Sequence, residues 1–112
     1  MPEDPETYDR QGLLQGTNME VCWPSTAANY FHLLRTHMRM PFRKPLIVVA
    51  PKKLLRLKAA CSNAEDFTGD TRFMPVIPDK NPNLVEPSKV RKIVLCSGQV
   101  YYDLEAQRAK NG

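Results

Sequence analysis

Ten prolines cut this 112-residue chain into short pieces. They stand at positions 2, 5, 24, 41, 45, 51, 75, 78, 82 and 87. Proline locks φ and lacks the N–H that a helix interior or a central strand uses. Each one therefore marks an element boundary, and no element is expected to be long. The chain is still 42% hydrophobic and 25% charged, the balance of a globular protein rather than a disordered one. Its length suits one small core and cannot hold a two-domain cofactor enzyme.

Between the prolines, periodicity names the elements. Residues 19–23 form a short apolar strand candidate closed by Pro24. Ser25 reads as a helix N-cap, its hydroxyl taking an orphan backbone N–H. Ala27, Tyr30, Phe31, Leu34 and Met38 follow helical three-four spacing, which predicts a buried stripe. Residues 46–49 are β-branched and apolar between Pro45 and Pro51, as in a strand covered on both faces of a parallel sheet. Residues 52–60 suit one or two helical turns, 62–73 a loop, and 74–77 a short edge strand. The Asn- and Pro-containing stretch 79–88 reads as a linker. A second buried strand is expected at 93–96, a tight turn at Ser97-Gly98, and a helix over 99–110. Val100, Tyr101 and Leu104 would be its apolar face. The order is β–α–β, linker, β–α, an α/β pattern without an internal repeat.

Charge is unevenly spread. Residues 1–20 hold five acids and one base, and 21–64 hold eight bases and no acid. The remainder balances, leaving a net +4. The eight are Arg35, Arg39, Arg43, Lys44, Lys52, Lys53, Arg56 and Lys58. Such a block calls for an anionic ligand or for acidic partners supplied from elsewhere. Bases among aromatics can bind nucleic acid. Tyr30 and Phe31 fall on the predicted apolar stripe, however, so a solvated or subunit-facing basic surface is the better reading.

Other chemistry is thin. The longest apolar run, 46–50, is far short of the ~18 residues of a membrane span. The acidic, proline-rich start resembles no targeting peptide. Cys22, Cys61 and Cys96 are odd in number and widely spaced. They read as buried apolar thiols in a reducing compartment, not as a disulfide or zinc framework. His32 and His37 lie five apart, off the three or four that a helical metal pair uses. No Ser–His–Asp set can be assembled, and the sequence offers no catalytic, cofactor-binding or metal residue. The strand-to-helix turn Ser97-Gly98 could aim helix N–H groups at a phosphate, though an ordinary tight turn has the same pattern. Lys52 and Arg56 follow the C-terminal end of the 46–49 strand, the edge where α/β sheets place ligands. Arg35, Arg43, Lys44, Lys52, Arg56, Ser97 and Gly98 are thus the candidate interface or anion contacts. A structural ion pair with other parts of a longer parent protein is the stronger reading for Lys52 and Arg56.

Five blocks in register carry a resemblance. They are Pro24-Ser25-Thr26, then 29–35 (NYFHLLR), 41–47 (PFRKPLI), 51–56 (PKKLLR) and 96–104 (CSGQVYYDL). In this order and spacing they resemble the thiamine-diphosphate-dependent first component of the 2-oxoglutarate dehydrogenase complex. The resemblance implies a transketolase-like α/β fragment. Residues 1–17 would be a flexible leader and 18–60 the end of a pyrimidine-binding domain. Residues 61–88 would be a linker and 89–112 the start of a C-terminal domain. Family members are far longer than this chain. They use thiamine diphosphate and magnesium to decarboxylate 2-oxoglutarate in the tricarboxylic acid cycle. They form homodimers and pass the succinyl group to a dihydrolipoyl succinyltransferase. The resemblance also implies a mitochondrial matrix location, or cytoplasm in a bacterium. Their cofactor motif and catalytic histidines fall upstream of the matched blocks, so none carries over. A family Pro-Glu-His-Ser-Ser run has no counterpart after Pro2-Glu3, and Arg35-Thr36-His37 stands where the family usually has Arg-Arg-Gln. An oxidoreductase fragment, inactive alone, is the expected function. The alternative is a non-catalytic binding or assembly module that docks through its basic surface.

Overall fold

The computed structural model describes residues 16–81 and 84–111. Most of the expected leader, residues 1–15, lies outside them. Strand β1 spans Glu20–Cys22, helix α1 Ala27–Arg39, strand β2 Leu46–Val48 and helix α2 Gln99–Asn111. Single 3-10 turns at Lys52–Arg56, Lys58–Ala60, Ala64–Phe67 and Pro87–Lys89 fill part of the chain between β2 and α2. The prolines explain the brevity: Pro24 ends the approach to α1, Pro41 and Pro45 bracket the return, and Pro87 opens the last 3-10 turn.

The sheet is one parallel pair. Glu20, Val21 and Cys22 lie opposite Leu46, Ile47 and Val48. Glu20 N donates to Pro45 O and Val49 N to Cys22 O, both at 2.9 Å, extending the ladder at each end. Alternation then sorts the side chains. Glu20, Cys22, Leu46 and Val48 are covered to some degree, whereas Val21 and Ile47 face solvent. The 46–49 strand is therefore covered on one side only, not on both.

Helix α1 has two donors capped from different distances. Thr26, rather than Ser25, is the N-cap, its hydroxyl accepting from Asn29 N at 3.2 Å. Ser62, far along the chain, accepts from Ala28 N at 3.0 Å. The buried face of α1 is Ala28, Asn29, His32 and Leu33. The predicted stripe fails: Tyr30, Phe31, Leu34 and Met38 are all exposed. The reason is polar. Asn29 pairs with the Met74 backbone in both directions, Met74 N to Oδ1 at 2.9 Å and Nδ2 to Met74 O at 3.2 Å. His32, 3% exposed, donates from Nε2 to the Asp66 carbonyl at 2.8 Å. These bonds pull residues 62–74 over the polar side of α1, and Phe67 meets Phe31 edge-on at 5.5 Å. The apolar side has no comparable cover among the described residues.

Three further expectations change. Residues 74–77 form no strand, because Met74 pairs with an asparagine side chain instead of a second backbone. Residues 93–96 are not a strand either. No neighbouring strand pairs with them among the described residues, and Leu95 is 84% exposed. On α2 the buried side chain is Tyr102, while Val100, Tyr101 and Leu104 are exposed. The core is correspondingly small: Ala28, Leu33, Ala60 and Tyr102 are its only buried apolar residues among those described. A radius of gyration of 16.4 Å exceeds the roughly 13 Å of a compact 100-residue domain.

Candidate functional site

The candidate bases do not converge on one point. Arg35 and Arg39 leave α1 one turn apart, on the same side of its C-terminal half. Arg35 Nη2 donates to Thr71 O at 3.2 Å. Arg43 Nη1 donates to Met40 O at 2.8 Å and Phe42 O at 2.9 Å. Lys44 donates to Thr17 O and lies 4.8 Å above the centre of the Phe42 ring. Arg43 thus binds the carbonyls just past α1, where the helix dipole is negative, while Arg35 and Lys44 take carbonyls from distant segments. That explains part of the acid-free stretch: its cations take backbone oxygens instead of carboxylates. Lys52 and Arg56, on the Lys52–Arg56 turn, are exposed and form no hydrogen bond or ion pair with another described residue. Their neighbour Lys53 reaches Asp103 on α2 at 3.5 Å, an exposed pair of little energetic weight.

Ser97 and Gly98 do structural work. Gly98 has φ +62, in the left-handed region, and a Cβ there would lie 2.5 Å from the Trp23 indole. Its N–H donates to Ser25 Oγ at 3.1 Å, and Tyr102 donates its hydroxyl to Ser25 O at 2.5 Å. The amide that could have met a phosphate is taken. Ser25, expected to cap α1, instead anchors the start of α2. Burial pushes the Tyr102 phenol above its ordinary value, with Tyr101 and Cys61 adding to the shift. Further along α2, Arg108 forks onto Asp79 at 2.6 and 3.2 Å. That bond, with Asn81 N–H, holds the Asp79 carboxyl below its ordinary value.

Two polar clusters were not foreseen. Glu20, 9% exposed, pairs through Oε2 with His37 Nδ1 at 3.2 Å, joining β1 to α1. Its Oε1 is buried without a hydrogen-bond partner among the described residues. They border a cleft of about 240 Å³ lined also by Cys22, Leu33 and Phe73. The second is an open cleft of about 280 Å³ lined by Arg35, Thr36, Arg39, Met40 and Arg72. Arg72 comes from the stretch read as a loop, and no periodicity there ties it to α1. The histidines part company, His32 toward Asp66 and His37 toward Glu20. Cys61 and Cys96 are exposed free thiols, not buried ones, and Cys22 is half-buried. No three His, Cys, Asp or Glu side chains among the described residues are grouped to hold a metal. With Gly98 N–H engaged as well, these residues do not fit a magnesium–diphosphate group.

A parallel βαβ unit followed by a second turn and helix without a strand of its own defines a fragment of an α/β protein. Residues 9–58 match the transketolase pyrimidine-binding domain, and residues 61–112 match the 2-oxoglutarate dehydrogenase C-terminal family. The first match begins inside the stretch read as leader. Relatives agree. The 2-oxoglutarate dehydrogenase E1/E2 component of Corynebacterium glutamicum is 47% identical over 95 residues, covering 85% of this chain and 8% of its own. The E1 components of Brucella abortus and Brucella anthropi are 45% and 44% identical over 102 residues, again over 85% of this chain and 10% of theirs. The chain belongs to the 2-oxoglutarate dehydrogenase E1 family, as a segment of it. It spans about a tenth of the length of these curated relatives.

Proposed function

We propose that the chain is the part of a 2-oxoglutarate dehydrogenase E1 component that joins its pyrimidine-binding and C-terminal domains. One observation carries this reading: identity of 44–47% to such components runs across both matched regions. In the whole protein the activity would be oxidative decarboxylation of 2-oxoglutarate within the tricarboxylic acid cycle. Thiamine diphosphate and magnesium would supply the carbanion chemistry from outside this segment. A homodimer and a dihydrolipoyl succinyltransferase would be the partners. The location would be the mitochondrial matrix, or the cytoplasm of a bacterium.

This segment's own contribution is scaffolding. It presents the β1–β2 edge, the apolar side of α1 and a basic surface. No described residue is placed to abstract a proton or hold the cofactor, so the isolated chain is expected to be inactive. The test is a decarboxylation assay with 2-oxoglutarate, thiamine diphosphate and magnesium. Turnover by the isolated chain above a no-protein control would overturn the scaffold assignment. Co-elution with a full-length E1 component at low salt would support the family partner reading.

A further inference from the structure

We propose that the basic 3-10 turn after β2 is a docking surface for an extended acidic segment of a partner protein. The proposal stands on the turn's own geometry and does not rest on the E1 reading. Backbone hydrogen bonds run through this stretch in steps of three. Leu54 N donates to Pro51 O at 3.0 Å, Leu57 N to Leu54 O at 3.3 Å and Ala60 N to Leu57 O at 2.9 Å. Burial follows the same step, as 3-10 geometry requires. Pro51, Leu54, Leu57 and Ala60 turn inward, and every residue between them is exposed. Ala60, 7% exposed, belongs to the core, so the inward edge anchors the turn.

The outward side carries Lys52, Lys53, Leu55, Arg56 and Lys58, and no acid stands among them. Residues three apart eclipse on a 3-10 turn, about 6 Å from each other along its axis. Lys52 therefore stands in line with Leu55, and Lys53 with Arg56. Lys52, Arg56 and Lys58 form no ion pair with a described carboxylate. Lys53 has the exposed Asp103 contact at 3.5 Å, which an incoming acid can replace at little cost. Cations this close repel one another, and a carboxylate brought among them relieves the repulsion. Leu55, 79% exposed, is the apolar contact in their midst.

Spacing and composition choose the occupant. Acids two residues apart on an extended chain point to one side, roughly 6.7 Å from each other. That spacing meets Lys53 and Arg56 together. A nucleic-acid strand would want aromatic platforms for its bases, and the exposed residues between 52 and 59 include none. Nor does the surface suit complete burial, because desolvated charges cost more than they return unless each is paired. Charges around one apolar residue are instead the make-up of a hydrated, transient interface. The fitting segment carries two acids separated by one residue, with a large apolar residue beside them for Leu55.

Titration of the whole isotope-labelled chain at low ionic strength, read by its amide shifts, tests this. The probe is the capped peptide Gly-Glu-Thr-Glu-Leu-Gly. Its permutation Gly-Glu-Glu-Thr-Leu-Gly keeps the composition and sets the acids side by side. Saturable shifts centred on residues 52–58 are expected with the first peptide. The second should bind about two- to fivefold more weakly, the scale of one exposed ion pair. Arg56→Gln should weaken the first peptide by the same factor, and Leu55→Ser by roughly threefold or more. Lys110→Gln, which removes an equal charge at the far end of α2, should leave it unchanged. Far-UV circular dichroism verifies that α1 and α2 persist in each variant. Equal affinity for the two peptides, or an equal loss in Lys110→Gln, would mean diffuse surface charge and overturn the site. So would shifts centred elsewhere or a failure to saturate. Tighter binding to phosphatidylserine vesicles or to a short single-stranded DNA than to the first peptide would overturn it as well, in favour of that surface.

Discussion

Two strand-to-helix passages lie in this chain, and their strands meet different fates. In the first, Glu20–Cys22 finds Leu46–Val48, forms a parallel ladder and feeds α1. In the second, Ile93-Val94-Leu95-Cys96 is at least as apolar, yet it stays extended without a ladder and feeds α2. Ile93 and Leu95 are the more exposed for it. The difference lies in pairing, not in propensity. A strand exists where a second backbone can take its N–H and C=O groups. The first unit contains both halves of its pair; the second contains one among the described residues. An unpaired apolar edge is also a hazard. The second unit is thus expected to be the less stable and the more prone to self-association. What ties it to the first is chiefly the joint at Ser25, Trp23, Gly98 and Tyr102, with the exposed Lys53–Asp103 pair beside it.

Breaking that joint should have the largest effect. Gly98→Ala puts a methyl 2.5 Å from the indole of Trp23 and holds a non-glycine residue at φ +62. Left-handed backbone costs about 1–2 kcal/mol and overpacking about 1–3 kcal/mol more. A loss of roughly 2–4 kcal/mol is expected if the helix stays docked. More readily, α2 will undock and leave the first unit intact. Trp23 is the chain's one tryptophan, so its near-ultraviolet circular dichroism reads this contact directly. An unchanged signal and urea midpoint would show that the two units are not joined there.

The first unit should break at Asn29. Its amide serves Met74 as a neighbouring strand would, accepting from N and donating to O. Asn29→Ala leaves both backbone groups without partners in a half-buried place, a cost of about 1–3 kcal/mol. Hydrogen exchange at the Met74 amide should accelerate, and at the β1–β2 ladder it should not. Equal acceleration at both would mean that the first unit opens as one body and the loop is no separate layer.

Legibility followed the same division. Elements set by local signals were readable. Proline boundaries located β1, α1 and β2 within a residue or two, and the Ser97-Gly98 turn stands where glycine allows it. Long-range partners were not readable. The Tyr30, Phe31, Leu34 and Met38 stripe has proper helical spacing, but a stripe buries only against something. Here the polar face won, because Asn29 and His32 found carbonyls at Met74 and Asp66 that spacing cannot reveal. Arg35 was legible as a candidate base, and its partner Thr71 and companion Arg72 were not. A loop without periodicity carries no mark of which helix it will lie against. Ser25 illustrates the limit best. Its capping chemistry was right, since its hydroxyl accepts a helix-start N–H, but the helix was α2 rather than α1.

The smallest predicted effect tests the same joint through a proton. Tyr102 donates its phenol hydrogen to Ser25 O, so the bond exists only while the phenol is neutral. Burial raises this group above the ordinary 10.0. The folded state therefore holds the proton more tightly than the unfolded one. The resulting stability is fully present below about pH 10 and declines as pH rises through the folded value. Tyr102→Phe keeps the ring and removes the donor, at about 1 kcal/mol near neutral pH. Wild type should lead the variant by that margin in urea midpoint at neutral pH. The lead should shrink through the alkaline range, where the ionised phenolate would instead be buried against a carbonyl. Tyr101, also raised by burial, titrates in both proteins and cancels in the comparison. A lead that stayed constant with pH would show that the hydroxyl contributes without regard to its proton, and would strike the Tyr102–Ser25 bond from the joint, leaving Gly98 with Ser25 and Trp23.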